Sequence, residues 1–506
     1  MDVIDHKSVI EYLSRRCGSK DADKMPKVAV GDGGNRLAVG GRICCDSRQV
    51  RADDVFVAVR GVTVDGHDFI DQAVSKGAAV VVADRPVTVE GSAQLVLVEN
   101  SAVALGQLAQ AAAGWPGREM TTLAVTGTNG KTTVAYLVRA MLTAAGQGCG
   151  MLGTVEYDLG NGNVSSAGNT TPDALQLAQM MRQMRNNRLA AMVMECSSHG
   201  LDQDRVAGIE FDAAAFTNLS GDHLDYHIDR ESYLAAKGKL FAGLSKDAVA
   251  VVNAQDEAGR VLEKMTSAKV WRYGINETVE ISAHIEAMDL AGCEFEMVVL
   301  GQRLRVRSPL VGAHNVSNCL AAAGLTLAAG VSLEAIGRAI ESFAGVPGRL
   351  ERVDCGQDFT VLVDYAHTDD ALEHTLETLR GFANKKLIVV FGCGGQRDPS
   401  KRPRMAAVAQ KWADQIVVTN DNPRREEPES IIADIRAGFA SAGRRKVVEL
   451  PGRREAISLA LNSAQSGDVV VIAGKGHEDY QLIGGERLHF DDREVVKEEL
   501  KSLKSL

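Results

Sequence analysis

The residues with the clearest chemical potential form one short run, GTNGKTT, comprising Gly127, Thr128, Asn129, Gly130, Lys131, Thr132 and Thr133. It follows the apolar, β-branched TTLAVT and precedes VAYLVRAMLTAAG, whose apolar spacing is helical, so the run sits at a strand-to-helix turn. There, backbone amides and a helix N-terminus can surround phosphates. Lys131 can reach the terminal phosphates, and the Thr132 hydroxyl can bind magnesium. The longer form of such loops has glycine where this chain has Val125; Gly127 supplies the upstream flexibility instead, giving a G-x-x-G-K-T variant. A glycine turn beside a solvated lysine is the plainer alternative, and the flanking strand and helix weigh against it. The guanine-reading N-K-x-D tetrad is missing, since Asn384-Lys385-Lys386 runs into Leu387, so ATP is preferred to GTP.

Further candidates follow strand-like runs downstream. After AAMVME, Glu195 stands where a second magnesium-binding acid of a phosphoryl-transfer site belongs, with Ser197, Ser198 and His199 in the loop behind it. FDAAAFTNLSGDHLDYH delivers Asp222, His223, Asp225 and His227 within six residues. That set suits a divalent ion, and two satisfied surface histidines are the alternative. Lys237 and Lys239 lie on the helical DRESYLAAKGKL, where composition alone reads them as solvated. In NTTPD, Thr171 and Asp173 read equally as a helix N-cap turn.

The elements that must position these groups are α/β. Glycine numbers 50 and concentrates after the runs LAVTG, LIVVFGCGG and VVVIAG. Strands ending in glycine before helical patterns place sites at the carboxyl edge of a parallel sheet. A chain of 506 residues exceeds one hydrophobic core and predicts about three domains at ~150 residues each. Linker-like AAAGWPGREM and FAGVPGRLERV set the expected units at 1–115, 116–346 and 347–506. The first is a small α/β unit with the strand VFVAV and a helix bearing Phe69, Ile70, Ala73 and Val74 on its apolar face. The second holds a P-loop ATPase-type parallel sheet, and the third a Rossmann-like sheet. Hydrophobic residues at 45%, charged residues at 24% and no low-complexity tract exclude disorder. Nine scattered cysteines, with Cys44 and Cys45 adjacent on an expected strand, fit reduced thiols. A net charge of −10 disfavours nucleic acid. MDVIDHKSVIEYLSRRCG lacks the apolar core of a secretory signal, and no window reaches the ~18 apolar residues of a membrane span, so a cytoplasmic protein is expected.

The strings GTNGKTT, MECSSHGLDQDR, TNLSGDHLDYH, AAKGKLF, GAHNVSNCLAA, GVPGRLE, VDYAHT and GKGHEDYQ occur in the order found in the Mur ligases. The chain resembles that family through all three expected domains. Within it, the chain is similar to the tripeptide synthetases, and DNPR at Asp421, Asn422, Pro423 and Arg424 looks like the signature of those using meso-2,6-diaminopimelate. The resemblance implies a monomeric, ATP- and Mg2+-dependent ligase in peptidoglycan synthesis, with Lys237 carbamylated on its ε-nitrogen. Thr132 and Glu195 would hold one magnesium, and His223 with the carbamylated Lys237 another. Asn318, Arg349 and Asp364 would contact ATP. Cys45, Ser47, Val62, Thr63 and Val64 would meet the uridine end of a UDP-muramoyl dipeptide. Asn169, Thr170, Thr171, Ser197, Gln203 and Arg205 would meet its diphosphate, sugar and peptide. Arg397 and Arg424 would pair the distal carboxylate of diaminopimelate, with Asp421, Asn422, Gly474 and Glu478 near its ammonium groups. Arg425 reads as a solvated charge beside Glu426 and Glu427. Asp369, where proline is common after VDYAHT, and Pro399-Ser400 depart from the family pattern.

The implied reaction passes through an acyl phosphate of the D-glutamate γ-carboxylate, which the diaminopimelate amine then attacks, with His199 a conceivable base. Lysine-adding and folylpolyglutamate ligases are related alternatives. A P-loop nucleotide switch is the alternative from another class.

Overall fold

Val80-Val81-Val82-Ala83 and Val469-Val470-Val471-Ile472-Ala473 are apolar at every position, so both faces of each strand need cover; in the computed structural model both runs are fully buried. The structure describes residues 4–5, 39–220, 226–227, 229–440 and 446–504. The features read from residues 1–18, and Asp222, His223 and Asp225, lie outside the described residues or at the two-residue strand Ile4–Asp5.

Three α/β sheets follow one another along the chain. The first has four parallel strands in sequence order, Ile43–Cys44, Val55–Val57, Val80–Ala83 and Gln94–Leu97. Its first strand ends at Cys44, which is buried, while Cys45 is exposed just beyond it. The expected helix after DGH begins as a 3-10 turn, Gly66–Phe69, and continues as Ile70–Ser75. Ile70 and Ala73 are buried, but Phe69 is 38% exposed and lies outside the apolar face.

The second sheet has eleven strands. Its parallel centre runs, across the sheet, Cys149–Leu152, Ala191–Glu195, Thr121–Thr126, Ala213–Phe216, Val249–Asn253 and Lys269–Ile275. Thr121–Thr126 comes first in sequence yet lies in the middle, flanked by strands on either side that follow it in the chain. Where strand order reverses in this way, loops part at the carboxyl edge and leave a crevice. The phosphate-loop candidate, Gly127–Gly130, lies at that crevice and leads into the helix Lys131–Ala144.

The third sheet has six strands, with Glu351–Arg352 antiparallel at one edge. The rest are parallel and run Thr360–Asp364, Val469–Ala473, Leu387–Phe391, Gln415–Val418 and Val447–Glu449. Helices Asp369–Arg380, Lys401–Trp412 and Pro428–Arg436 cover one face, and Arg453–Ser463 with Asp492–Lys504 the other. The five parallel strands therefore open their carboxyl ends on one side, at Asp364, Ala473, Phe391, Val418 and Glu449. Among the described residues no helix is long and apolar enough to cross a membrane.

Candidate active site

Glycines shape the phosphate loop. Gly127 has φ +147° and Gly130 φ +89°. A Cβ at Gly127 would lie 1.8 Å from Thr217 Oγ1, and one at Gly130 would lie 2.3 Å from Asn318 Oδ1. Both positions thus need a bare backbone for conformation and for space. Lys131 Nζ donates to the Gly127 and Thr128 carbonyls at 2.9 and 2.7 Å. Thr217 Oγ1 donates to the Asn129 carbonyl at 2.6 Å, and the Thr128 hydroxyl lies 3.1 Å from Tyr233 OH.

Glu195, at the end of its strand, is buried beside this loop. Its Oε2 accepts from Thr132 Oγ1 and Thr154 Oγ1, both at 3.0 Å, and its Oε1 accepts from Thr154 N at 2.8 Å. Gly153 makes room for that carboxylate, since a Cβ there would lie 2.4 Å from Glu195 Oε1. Lys237 is 1% exposed, which overturns the solvated reading from composition. Its Nζ donates to the Gly127 carbonyl at 2.9 Å and lies 4.2 Å from the Tyr233 ring centroid. Lys239 is the solvated one, pairing with Asp204 at 3.0 Å.

The third sheet meets the loop from the other side. Arg349 Nη2 reaches Thr132 Oγ1 at 3.4 Å, and its guanidinium stacks 4.5 Å from the Tyr365 ring. Asp364 accepts from Leu350 N, Ala366 N and Thr375 Oγ1 at 2.7 to 3.1 Å, which ties the linker containing Arg349 to the third sheet. Asp370, at the start of the helix Asp369–Arg380, accepts from Asn129 Nδ2 at 3.0 Å and Ser220 Oγ at 2.8 Å. Arg349 Nε and His477 Nδ1 are buried without a hydrogen-bond partner among the described residues, so this region holds polar atoms suited to a ligand.

Thr171 and Asp173 separate in role. Asp173 caps the helix Ala174–Asn186, accepting from Gln176 N at 2.9 Å. Thr171 is fully buried; its hydroxyl donates to the Glu195 carbonyl at 2.9 Å and lies 3.1 Å from Ser197 Oγ. Arg205 binds the Thr171 carbonyl at 2.7 Å and Gln203 Oε1 at 2.8 Å. Thr170 meets Thr154 at 3.1 Å, and Asn169 bonds with Tyr157 OH. His199 packs on Tyr226, ring centroids 4.0 Å apart. These groups form one patch behind Glu195. Cys45, Ser47 and Val62–Val64 lie on loops that follow strands of the first sheet, with Cys45 close enough to Asp173 to feel its charge. Ser47 Oγ bonds with Gln72 Oε1 at 2.6 Å, and Gly61 N to the Val64 carbonyl closes an exposed turn at 2.9 Å.

A cleft of about 800 Å³ opens between Thr154–Thr170 and the third sheet, lined by Arg397, Arg424, His477, Glu478 and Tyr480 among others. Arg424 has φ +59°, held by its N to the Leu482 carbonyl and its carbonyl to Gly484 N, and its Nη1 donates to the Gly395 carbonyl at 2.7 Å. A Cβ at Gly395 would touch the Pro423 carbonyl at 2.0 Å, and one at Gly474 would lie 2.6 Å from Asp421 Oδ2, so both loops pack closely on DNPR. Asn422 Nδ2 donates to Glu478 Oε2 at 2.8 Å. Burial first, and Asp421 second, push the Glu478 carboxyl above the usual range; Lys475 and Asn422 pull it back. Burial and the flanking Arg349 and Arg493 push His477 down to about 4, so it is neutral at physiological pH. Arg425 is exposed as expected, whereas Glu426 pairs with the buried Arg402 at 2.6 Å. Sequence reasoning left Thr154, Asp370, Arg402, Lys475 and His477 unassigned. The strand-end rule reaches Thr154, and the GKGHEDYQ string contains Lys475 and His477.

The chain matches the Mur ligase family, catalytic domain over residues 42–123, the Mur ligase middle domain over 125–326 and the Mur ligase glutamate ligase domain over 348–476. Curated relatives named UDP-N-acetylmuramoyl-L-alanyl-D-glutamate–2,6-diaminopimelate ligase include one from Geobacillus kaustophilus, 44% identical over 94% of this chain and 98% of that protein. Another, from Gloeobacter violaceus, is also 44% identical, over 91% of this chain and 94% of that protein. A solved structure of a protein with that ligase name aligns with TM-score 0.68 and 32% identity over 97% of this chain and 99% of its own. A Mycobacterium tuberculosis folylpolyglutamate synthase, at 20% identity and TM-score 0.62, covers 79% of this chain and 95% of its own, and shares the fold. The chain is a member of the Mur ligase family, with its three-domain α/β fold.

Proposed function

We propose that this protein is the ATP-dependent ligase that joins meso-2,6-diaminopimelate to the D-glutamate γ-carboxylate of UDP-N-acetylmuramoyl-L-alanyl-D-glutamate in peptidoglycan precursor synthesis. The observation that carries this is near-full-length similarity, at 44% identity, to ligases named for that reaction. The site chemistry agrees with it. In this reading residues 1–115 bind the UDP-muramoyl substrate, 116–346 form a P-loop ATPase-type unit, and 347–506 form a Rossmann-like unit for the amino acid. The protein works as a cytoplasmic monomer.

ATP lies along Gly127–Thr133, with Asn318, Arg349 and Asp364 around it; the buried, unpartnered Arg349 Nε supports this assignment. Thr132 Oγ1 and Glu195 Oε2 are hard oxygens 3.0 Å apart and fit a magnesium ion, which needs few protein ligands and keeps waters and phosphate oxygens. Bound magnesium would offset the negative charge of phosphates and carboxylate. A second ion would be held by His223 and a carbamylated Lys237, whose burial beside the Gly127 carbonyl favours a specialised role over a solvated one.

The γ-carboxylate oxygen of the acceptor displaces ADP from the γ-phosphorus, giving an acyl phosphate. The neutral amine of diaminopimelate attacks the acyl carbon, inorganic phosphate leaves, and the amine proton passes to solvent or a base. Lys131 screens the approaching charges, and Ser197, Gln203 and Arg205 orient the dipeptide, with the fully buried Thr171 holding Ser197 and Arg205 from behind. Arg397 and Arg424 pair the distal carboxylate, which lysine lacks. Phosphate release, with product mass, in mixtures of UDP-muramoyl dipeptide, ATP and either diaminopimelate or lysine tests the reading. Turnover is expected with diaminopimelate alone. Equal turnover with lysine would overturn the amino-acid assignment, and rapid hydrolysis without the dipeptide would favour a nucleotide switch.

A further inference from the structure

Lys475 follows the strand Val469–Ala473 between two glycines, and its side chain is fully buried. An ammonium withdrawn from water requires polar partners around it. Its Nζ meets Asn422 Oδ1 at 3.4 Å, Glu478 Oε2 at 3.3 Å and the Tyr480 carbonyl. Those groups come from the DNPR loop, the turn after Val469–Ala473 and the hairpin that starts at Tyr480.

The consequences for Asn422 and Glu478 follow from donor counting. Asn422 Oδ1 takes Leu482 N at 3.0 Å as well as Lys475 Nζ, so the amide is held with Nδ2 toward Glu478 Oε2 at 2.8 Å. Among the described residues both donors to Glu478 end on Oε2, which leaves Oε1 for a ligand. Around this carboxylate stand Asp421, Tyr365, Tyr480 and Arg453 besides Lys475, and burial with Asp421 opposes its ionisation while Lys475 favours it. Lys475 is too buried to touch a substrate in the cleft itself.

We infer that Lys475 is a positioning residue for the amino-acid substrate, orienting Asn422 and Glu478 so that the Glu478 carboxyl group can receive an ammonium group. This rests on the reading that Asn422 and Glu478 belong to the diaminopimelate pocket. Lys475→Met keeps side-chain length and removes the charge. It is expected to raise the KM for diaminopimelate about tenfold and to leave the KM values for ATP and UDP-muramoyl dipeptide within about twofold. Without the cation the Glu478 carboxyl titrates higher, so the acid limb of kcat/KM for diaminopimelate moves to higher pH. In a Glu478→Gln background, Lys475→Met should add little, whereas Lys475→Arg alone should return the acid limb toward its original pH.

Equal rises in all three KM values, an unmoved acid limb or multiplicative effects in the double variant would overturn the inference. Glu478→Gln with an unchanged diaminopimelate KM would instead sink the pocket assignment and the inference with it. If Glu478→Gln raises that KM and Lys475→Met does not, the inference alone fails. Should Lys475→Met not fold, Lys475→Gln, which also removes the charge, is read in its place: a rise confined to the diaminopimelate KM supports the role, and no change refutes it.

Discussion

Arg424 carries two burdens at one position. Its backbone occupies the left-handed region at φ +59°, at a cost of about 1–2 kcal/mol for a residue with a Cβ, while its guanidinium borders the cleft. Arg424→Gly should therefore leave the melting temperature unchanged or higher and abolish diaminopimelate-dependent turnover. Coupled loss of both would show that the side chain is structural. Arg424→Lys, which loses the planar fork, should raise the diaminopimelate KM by roughly 100-fold with the KM for ATP unaltered. Gly153 gives a second test near the phosphates. Gly153→Ala would push a methyl toward Glu195 Oε1, 2.4 Å away, and should lower kcat at least about tenfold, while circular dichroism stays native. Residues of this kind differ in how far sequence discloses them. Lys131 is legible because its glycine loop, strand and helix are contiguous. Lys475 is not, because burial, which separates it from a solvated lysine such as Lys239, depends on the DNPR loop and the hairpin closing over it.

At the level of elements, apolar runs announced the strands but not their order. TTLAVT reads as a strand from its own residues; that it lies between Ala191–Glu195 and Ala213–Phe216 depends on pairings far along the chain. The same holds for the buried pair Arg453–Asp492, 2.6 Å apart, which joins the helices Arg453–Ser463 and Asp492–Lys504 and lets Arg453 bind the Asn420 and Ala473 carbonyls. Neither residue stood out in the sequence, since surface pairs have identical types. Asp492→Asn leaves Arg453 buried without its counter-charge and should destabilise the third sheet by about 3–5 kcal/mol in denaturant unfolding. A loss under about 1 kcal/mol, the value of a surface pair, would contradict the burial argument.

Across the whole molecule, Asp370 joins the third sheet's first helix to Asn129 of the phosphate loop and to Ser220. Asp370→Ala should loosen that junction, raising the KM for ATP several-fold and enlarging the radius of gyration seen by X-ray scattering. The junction also titrates. The His374 hydrogen bond, with Ser220 and Asn129, holds Asp370 below its ordinary 3.8, and Asp370 holds His374 above its ordinary 6.5. The carboxylate's contribution is present above pH 3.8 and lost as pH falls through the lowered value. The histidine's is present below pH 6.5 and lost as pH rises through the raised one. The contribution of this pair to folding stability should thus be greatest between those limits, and Asp370→Asn should flatten the pH profile of denaturant unfolding. The placement of Thr121–Thr126 at the middle of the eleven-stranded sheet bears on how the protein is made. On a ribosome its partner Phe216 emerges roughly ninety residues after Thr126, a wait of several seconds at about 5–20 residues per second. The first sheet, whose strands pair with their neighbours in sequence, can close meanwhile. The nucleotide loop therefore gains the strand on its far side only well after it has emerged, and until then the apolar strand that carries it is a segment of the nascent chain that a chaperone would cover.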